Sequence, residues 1–201
     1  MKTGNGKTGR PISFDKDAAL EAAMLLFWER GFEGTSMADL TQAMGLNPSS
    51  IYAAFGDKHA LFSLAVKRYL GIRAQYAVKA LQEPTLGKVI RALFENTVAF
   101  LTAPGHPPTC MTLAGAMGCS VDATPARDLM TEIRKQNEAA IRKRLLLARK
   151  SGELSKEINV NDYTRYLSSI LAGLSIQAAN GSTKAELKRT AQMALRHLGY
   201  S

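Results

Sequence analysis

The chain has little of what a secreted or membrane-inserted protein needs. Only two of its 201 residues are cysteines, Cys110 and Cys119, too few for a disulfide framework. No apolar run approaches the roughly 18 residues of a membrane span, and the polar opening MKTGNGKTGR has no signal-peptide core. These absences predict a cytoplasmic protein, where reducing conditions keep both cysteines as thiols.

Patterns of catalysis and metal binding are also missing. The three histidines, His59, His106 and His197, lie on different predicted elements, and none has the spacing of a metal site or a catalytic triad. The glycine-rich stretch at residues 4–9 lacks the strand-to-helix setting of a phosphate-binding loop. We therefore expect no enzymatic activity, no metal and no cofactor.

The net charge of +9 is unevenly distributed along the chain. Residues 1–60 contain six Lys or Arg against seven Asp or Glu, so the positive excess lies downstream. Within the first sixteen residues, however, four cations including Arg10 stand against Asp15 alone. This arm is able to lie along phosphates or enter a minor groove, and the alternative is a solvated tail.

Hydrophobic periodicity predicts a nearly all-helical chain without strands. Asp15 or Asp17 can cap a first helix that stops at Gly31, Ser36 can cap a second, and Asn47 a third short one. A single longer helix is expected from residue 57 to about residue 84. Five more are expected near residues 85–103, 111–118, 125–151, 162–179 and 183–198, which makes nine in total.

The first three helices describe a helix-turn-helix DNA reader, because they are short and Gly45 supplies a turn between the last two. If Ile51 and Phe55, four residues apart, face the core, the exposed side of the third helix carries Ser49, Tyr52 and Ala53. Ser49 and Tyr52 are able to donate to base edges or phosphates, and Ala53 is able to meet a thymine methyl group.

The same stretch carries a family resemblance. Its signature is made of Phe27, Gly31-Phe32, Thr35-Ser36, Asp39, Gly45, Ile51-Tyr52, Phe55, Lys58 and Leu61-Phe62. It resembles TetR-type (TetR/AcrR family) transcriptional repressors. The resemblance implies an all-α fold with a three-helix DNA-binding domain and a helical domain for ligand binding and dimerisation. The corresponding boundaries are a flexible basic arm at 1–16, the reader at 17–62 and the effector and dimer domain at 63–201.

The resemblance also assigns roles at the DNA. It places a backbone-contacting tyrosine at Tyr52 and a phosphate-binding lysine at Lys58, with a half-buried core role as the alternative for Tyr52. Thr35 and Ser36 are able to bind phosphate, although helix capping explains them equally well. The full predicted set is Arg10, Thr35, Ser36, Asn47, Ser49, Ser50, Tyr52, Ala53 and Lys58. Ser49 and Ala54 depart from the family pattern, so no operator sequence can be transferred.

An effector cavity in the C-terminal domain is a further implication of the resemblance. Its predicted walls are Phe94, Phe100, Cys110, Met111, Met117, Met130 and Ile133, and the alternative for each is ordinary core. Cys110 follows a Pro-rich loop and opens a helix, a position that lowers a thiol pKa. Some subgroups of the family carry a cysteine there that responds to electrophiles, oxidants or metals, whereas a small buried hydrophobe is the other interpretation.

The last two helices present apolar stripes that suit either a core or a dimer interface. Because TetR-type proteins pair two such helices from each subunit, the predicted interface is Tyr163, Leu167, Leu171, Leu174, Leu187 and Leu195. The predicted function is a homodimeric repressor on a palindromic operator of double-stranded DNA, released by a small-molecule or electrophile effector. The alternatives are an architectural or cell-division factor without an effector, and a carrier or enzyme that uses the pocket without DNA.

Overall fold

The computed structural model describes residues 14–114 and 123–200. Within these ranges the chain forms helices only, in agreement with the expected all-α class. Their bounds are α1 Lys16–Arg30, α2 Met37–Met44, α3 Pro48–Phe55, α4 Lys58–Ile72, α5 Gln75–Leu81, α6 Leu86–Leu101, α7 Met111–Ala114, α8 Thr124–Lys150, α9 Val160–Ala179 and α10 Lys184–His197.

Local capping interactions set the ends of the first three helices, as the sequence predicts. Asp15 accepts hydrogen bonds from two backbone N–H groups at the start of α1, and Asn47 accepts one at the start of α3. Ser36 and Asp39 cap α2 reciprocally in a capping box. Gly45 adopts the left-handed conformation (φ +63°) that a residue without a Cβ tolerates, and it turns the chain from α2 into α3.

The predicted single helix over residues 57–84 is wrong, because the chain breaks it into α4 and α5. The backbone N–H groups of Arg73 and Ala74 both donate to the carbonyl of Tyr69, and the side-chain amide of Gln75 donates to the carbonyl of Leu70 at 2.9 Å. The bond from Arg73 has the helical i to i−4 spacing, whereas those from Ala74 and Gln75 do not continue the helix and close its end. The described residues therefore contain ten helices instead of the nine expected.

An ion-pair network fixes α1 on α4. Glu21 accepts hydrogen bonds at 2.7 Å from both Arg68 and Arg73, and Arg68 also binds Asp17 at 3.0 Å. Burial raises the pKa of the Glu21 carboxyl, but the hydrogen bonds from the two guanidinium groups outweigh this and leave the pKa below its ordinary value. The network thus holds the reader against the helix that leads into the rest of the chain.

Two large apolar clusters form the interior. The first joins α1, α2, α3 and α4 and also takes in Met111, Ala126, Met130 and Ile133 from the downstream half. The second joins α6, α9, α10 and the later part of α8. Because α8 contributes to both, with a length of about 40 Å at 1.5 Å per residue, it ties the reader side of the molecule to the α9–α10 side.

Four of the predicted interface leucines lie inside the subunit. Leu167, Leu174, Leu187 and Leu195 belong to the second cluster and are at most 3% exposed. Their side chains therefore take the core role that the pattern also allowed, since a buried side chain offers no surface to a partner. Tyr163 and Leu171 are only partly buried beside them.

Other apolar side chains on the same two helices remain at the surface. Tyr166 and Ile176 on α9 are 42% and 50% exposed, and Met193 on α10 is 65% exposed. These three side chains are the large exposed apolar groups that α9 and α10 offer to solvent or to a partner.

Candidate nucleic-acid interface and the Cys110 region

The third helix presents one side to the core and the other to solvent. Ile51 and Phe55 are buried, whereas Ser49 and Ala53 are exposed and Tyr52 is 51% exposed. The Tyr52 hydroxyl has no hydrogen-bond partner in the described part of the chain. The predicted facing of α3 is confirmed, and a phenol free to donate stands on its outer side.

Asn47 organises the start of α3. Its side-chain oxygen accepts hydrogen bonds at 2.8 Å from the Ser49 hydroxyl and from the backbone N–H of Ser50. That oxygen is therefore occupied, and the Asn47 amide N–H group remains the donor of this cluster. Ser50 is partly buried, whereas Asn47 and Ser49 lie at the surface.

The hydroxyls at the start of α2 are used within the protein. Thr35 is fully buried, and its hydroxyl donates to the carbonyl of Gly31 at 2.7 Å. The hydroxyl of Ser36 donates to the Asp39 carboxylate and accepts from the Asp39 N–H group. These hydrogen bonds from Ser36 hold the pKa of Asp39 below its ordinary value. Both hydroxyls are thus used within the protein: capping accounts for Ser36, whereas the Thr35 hydroxyl binds the carbonyl at the end of α1.

Lys58 opens α4 and lies against an aromatic ring. Its ammonium nitrogen is 4.3 Å from the centre of the Phe32 ring, a cation–π contact. Burial lowers the pKa of Lys58, while the charges of Glu33 and Asp39 act in the opposite direction. The Phe32 ring thus holds the Lys58 side chain near the start of α4. Lys16, which the sequence had only assigned to the arm, reaches α3, since its ammonium lies 3.5 Å from the carbonyl of Ala54.

Two of the predicted site residues, Arg10 and Met117, lie outside the described residues, as does Cys119. The other predicted pocket residues separate into two groups. Met111, Met130 and Ile133 are buried in the first apolar cluster, against which Phe100 and Cys110 pack. Phe94 lies in the second cluster instead, and Phe100 also contacts that one. The structure brings five of the seven together.

Cys110 lies among hydroxyl groups, directly before α7. The Tyr69 hydroxyl donates to its sulfur at 3.4 Å, and the Thr112 hydroxyl lies 3.1 Å from the same atom. The backbone N–H of Cys110 donates to the Ser175 hydroxyl on α9 at 2.8 Å. The thiol is partly buried. Cys110 therefore has polar partners on both α4 and α9, and it also packs against the first apolar cluster.

Burial raises the pKa of both Tyr69 and Tyr76 well above the ordinary value of tyrosine, and the nearby Cys110 adds to the shift. Both phenols consequently remain neutral at physiological pH. The neutral phenol of Tyr69 keeps the proton that it donates to the Cys110 sulfur.

A cluster of rings lies beside Cys110. The His106 ring packs on those of Trp28 and Phe100, with centroids 4.6 Å and 4.7 Å away, and the Trp28 and Phe100 centroids are 5.7 Å apart, so the three rings form a triangle. Tyr76 stacks on Phe100 at 4.7 Å. The Trp28 indole N–H donates to the carbonyl of Thr109 at 2.9 Å. The loop before Cys110 is thus in direct contact with α1 of the reader.

Sequence reasoning missed Trp28, Tyr69 and Ser175 as neighbours of Cys110. Trp28 and Tyr69 follow the apolar spacing of α1 and α4, so nothing in the local pattern separates them from ordinary core residues. Trp28 is the single tryptophan of the chain, which is the one signal that could have singled it out.

Neither a cluster of metal ligands nor a membrane-spanning helix is present in the described ranges. Within residues 14–114 and 123–200, His, Cys, Asp and Glu side chains do not gather in groups of three able to hold a metal ion. Over the same ranges, no helix combines the length and the apolar character needed to cross a membrane.

Comparison with known proteins gives a consistent set of similarities. Residues 19–65 match the family described as "Bacterial regulatory proteins, tetR family". The chain is 30% identical over 187 residues to the HTH-type transcriptional repressor BdcR of Escherichia coli K12, covering 92% of this chain and 90% of the relative. It is 29% identical over 190 residues to the repressor ComR of the same organism, covering 94% and 90%.

Similarity to a solved structure extends along almost the whole fold. A cysteine mutant of the TetR family transcriptional regulator CifR, complexed with a 26-base-pair double-strand operator DNA, superposes with a TM-score of 0.89 at 34% identity. The match covers 93% of this chain and 98% of that one.

Proposed function

Because this chain belongs to the tetR family of bacterial regulatory proteins, we propose that it is a transcriptional repressor that binds a palindromic operator as a homodimer and is released by an effector. The observation that carries the proposal is the solvent-facing side of α3, where Ser49, Tyr52 and Ala53 stand on a helix anchored by Ile51 and Phe55. A short helix with one buried side and a polar outer side fits the major groove.

The contacts we propose divide into two kinds. Ser49, through its hydroxyl oxygen as acceptor, and Ala53 read base edges. Tyr52, Lys58, the side-chain N–H group of Asn47 and the hydroxyl of Ser50 hold phosphates and set the register. Arg10 in the N-terminal arm adds a sequence-independent contact to the backbone or the minor groove. The reader is taken as residues 17–62, following the arm at 1–16.

Residues 63–201 serve effector binding and dimerisation in this proposal. The exposed Tyr166, Ile176 and Met193, together with the partly buried Tyr163 and Leu171 on α9, supply the self-complementary surface of a two-fold dimer in this proposal. Such a dimer places its two reading helices on half-sites about 34–36 Å apart, or one helical turn of DNA. The protein would act in the cytoplasm and catalyse no reaction.

We place the effector response at Cys110, with Phe100, Met111, Met130 and Ile133 as the apolar neighbours. An electrophile such as N-ethylmaleimide adds there by forming a C–S bond at the expense of its C=C π bond, and the thiol proton ends on the adjacent carbon. The adduct adds volume to a close-packed region, and the helices around Cys110 must shift to accommodate it. A different spacing of the two readers no longer fits the operator.

The first test is to recover the DNA fragments that the purified protein retains from a pool of neighbouring genomic DNA. A short palindrome with a preferred sequence is the expected result. Retention of all fragments alike would favour the architectural alternative, and retention of none would favour a carrier or enzyme.

The second test compares wild type, Cys110→Ser and the matched control Cys119→Ser for operator binding before and after N-ethylmaleimide. We expect binding to be lost in wild type and in Cys119→Ser and to be kept in Cys110→Ser. A Cys110 that stays unmodified in the folded protein by mass spectrometry would leave a non-covalent ligand as the only effector.

A further inference from the structure

We propose that Trp28 is the positioning residue through which the loop before Cys110, residues 106–110, sets the orientation of the DNA reader. This inference rests on the proposed function and adds the route by which a change at Cys110 reaches α1. The route is carried by one hydrogen bond and one ring stack, both made by Trp28.

The hydrogen bond joins parts of the chain 81 residues apart. The indole N–H of Trp28 donates to the backbone carbonyl of Thr109 at 2.9 Å, and Thr109 is the residue directly before Cys110. Trp28 has no exposed surface, so water cannot replace a lost partner. A buried indole N–H without an acceptor destabilises the fold. When the Thr109 carbonyl moves, the Trp28 ring therefore moves with it.

The ring stack binds the other end of the same loop. The His106 ring lies almost parallel to the indole of Trp28, at an angle of 11° and a centroid distance of 4.6 Å. The rings of Trp28 and Tyr69 also meet edge to face at 4.9 Å, which brings α4 into the same contact. Trp28 on α1 and Tyr69 on α4, whose hydroxyl binds the Cys110 sulfur, thus both contact the loop of residues 106–110.

The loop is held on its opposite side by α9. The buried hydroxyl of Ser175 accepts from the backbone N–H of Cys110 at 2.8 Å and lies 3.3 Å from the Thr109 hydroxyl. Pro107 and Pro108 restrict the backbone between the two anchors. A loop fixed to α9 at one side and to Trp28 at the other transmits a displacement instead of absorbing it.

The position of Trp28 on α1 determines which part of the reader moves when the loop of residues 106–110 moves. Trp28 lies in the last turn of α1, three residues before Gly31, where the chain leaves for α2. The same helix carries Phe27, which packs on Phe32 and Phe62 in the reader core. A shift of the indole consequently tilts α1 together with the helices that carry α3.

Burial alone does not separate a core role of Trp28 from a positioning role. Trp28→Phe separates them, because it keeps an aromatic ring but removes the N–H group that donates to Thr109. In the core role, Trp28→Phe changes stability but leaves the coupling between Cys110 and DNA intact. In the positioning role, the variant still binds the operator and loses much of the response.

Trp28 provides its own probe, since it is the only tryptophan in the chain. The experiment records tryptophan emission while operator duplex is added to the untreated wild-type protein, and again while N-ethylmaleimide reacts with Cys110. We expect an emission change in both titrations, the second in step with DNA release and absent in Cys110→Ser. Emission that stays constant on operator binding would overturn the inference even if Cys110 proves unreactive.

The Trp28→Phe variant supplies the functional readout. Couplings between two binding sites commonly reach about 5- to 150-fold, and we expect the loss of operator affinity on modification to fall in that range for wild type and below about threefold for Trp28→Phe. By reciprocity, operator DNA should slow the alkylation of Cys110 in wild type and not in the variant. A variant that responds like wild type would overturn the inference.

Ser175→Ala keeps the tryptophan and tests the other anchor, in case Trp28→Phe does not fold. It removes the acceptor for the Cys110 N–H group, so operator binding should persist with a smaller response and a smaller emission change. A full response in Ser175→Ala would contradict the role of the loop. Failure of the wild-type protein to bind any DNA would instead refute the proposed function.

Discussion

Removing the hydroxyl of Tyr52 tests the assignment of α3 as the reading helix most directly. Tyr52→Phe deletes one oxygen atom from a ring that is 51% exposed and has no hydrogen-bond partner in the described residues. The folded protein loses no internal contact, so its free energy of unfolding should change by less than about 0.5 kcal/mol.

At the operator the same deletion removes a hydrogen bond to DNA from each half-site. One such bond contributes about 1–2 kcal/mol. A dimer uses two readers, so the total loss is about 2–4 kcal/mol, or about 30- to 700-fold in Kd. Because a phenol is neutral, the dependence of affinity on salt should not change.

Fluorescence anisotropy with an operator duplex at fixed salt measures the effect on Tyr52→Phe. A duplex with only one intact half-site serves as an internal control, where the loss should be about half as large in free energy. Melting curves of wild type and variant establish that both are folded. An unchanged Kd in a folded variant would show that Tyr52 does not contact DNA.

Three further changes test other parts of the structure. Lys58→Ala should weaken binding to all sequences and reduce the salt slope by about one unit for each reader, measured by titrations at several salt concentrations. Glu21→Gln should lower the free energy of unfolding by about 1–3 kcal/mol at neutral pH, because two arginine side chains lose a charged acceptor. The pKa of Glu21 is lower in the folded than in the unfolded state, so its contribution to the free energy of unfolding is present above the unfolded pKa and is lost as the pH falls through the folded pKa. The free energies of unfolding of Glu21→Gln and wild type, measured in urea, should therefore converge in acid. Leu171→Arg should shift the dimer to monomer at micromolar concentration in sedimentation experiments, and a Leu171→Arg variant that stays dimeric would place the interface elsewhere.

Local features of the fold follow from neighbouring residues alone. Capping depends on residues within three positions of a helix start, so Asp15, Ser36 and Asn47 could be identified without tertiary information. The turn at Gly45 and the facing of α3 are likewise consequences of local conformation and helical periodicity. The family resemblance depends on this same segment, which is why the fold class and the candidate reader could be predicted together.

Packing between distant helices selects which of two possible roles, core or interface, an apolar side chain takes. An apolar stripe on α9 has the same spacing whether it faces its own subunit or a partner, and packing against α6 and α8 places Leu167 and Leu174 inside. The break after α4 occurs where Arg73 binds Glu21, 52 residues earlier in the chain. The bond from Trp28 to Thr109 spans 81 residues. Contacts across such separations leave no periodic trace in the sequence, because they depend on where complete helices pack and not on the conformation of neighbouring residues.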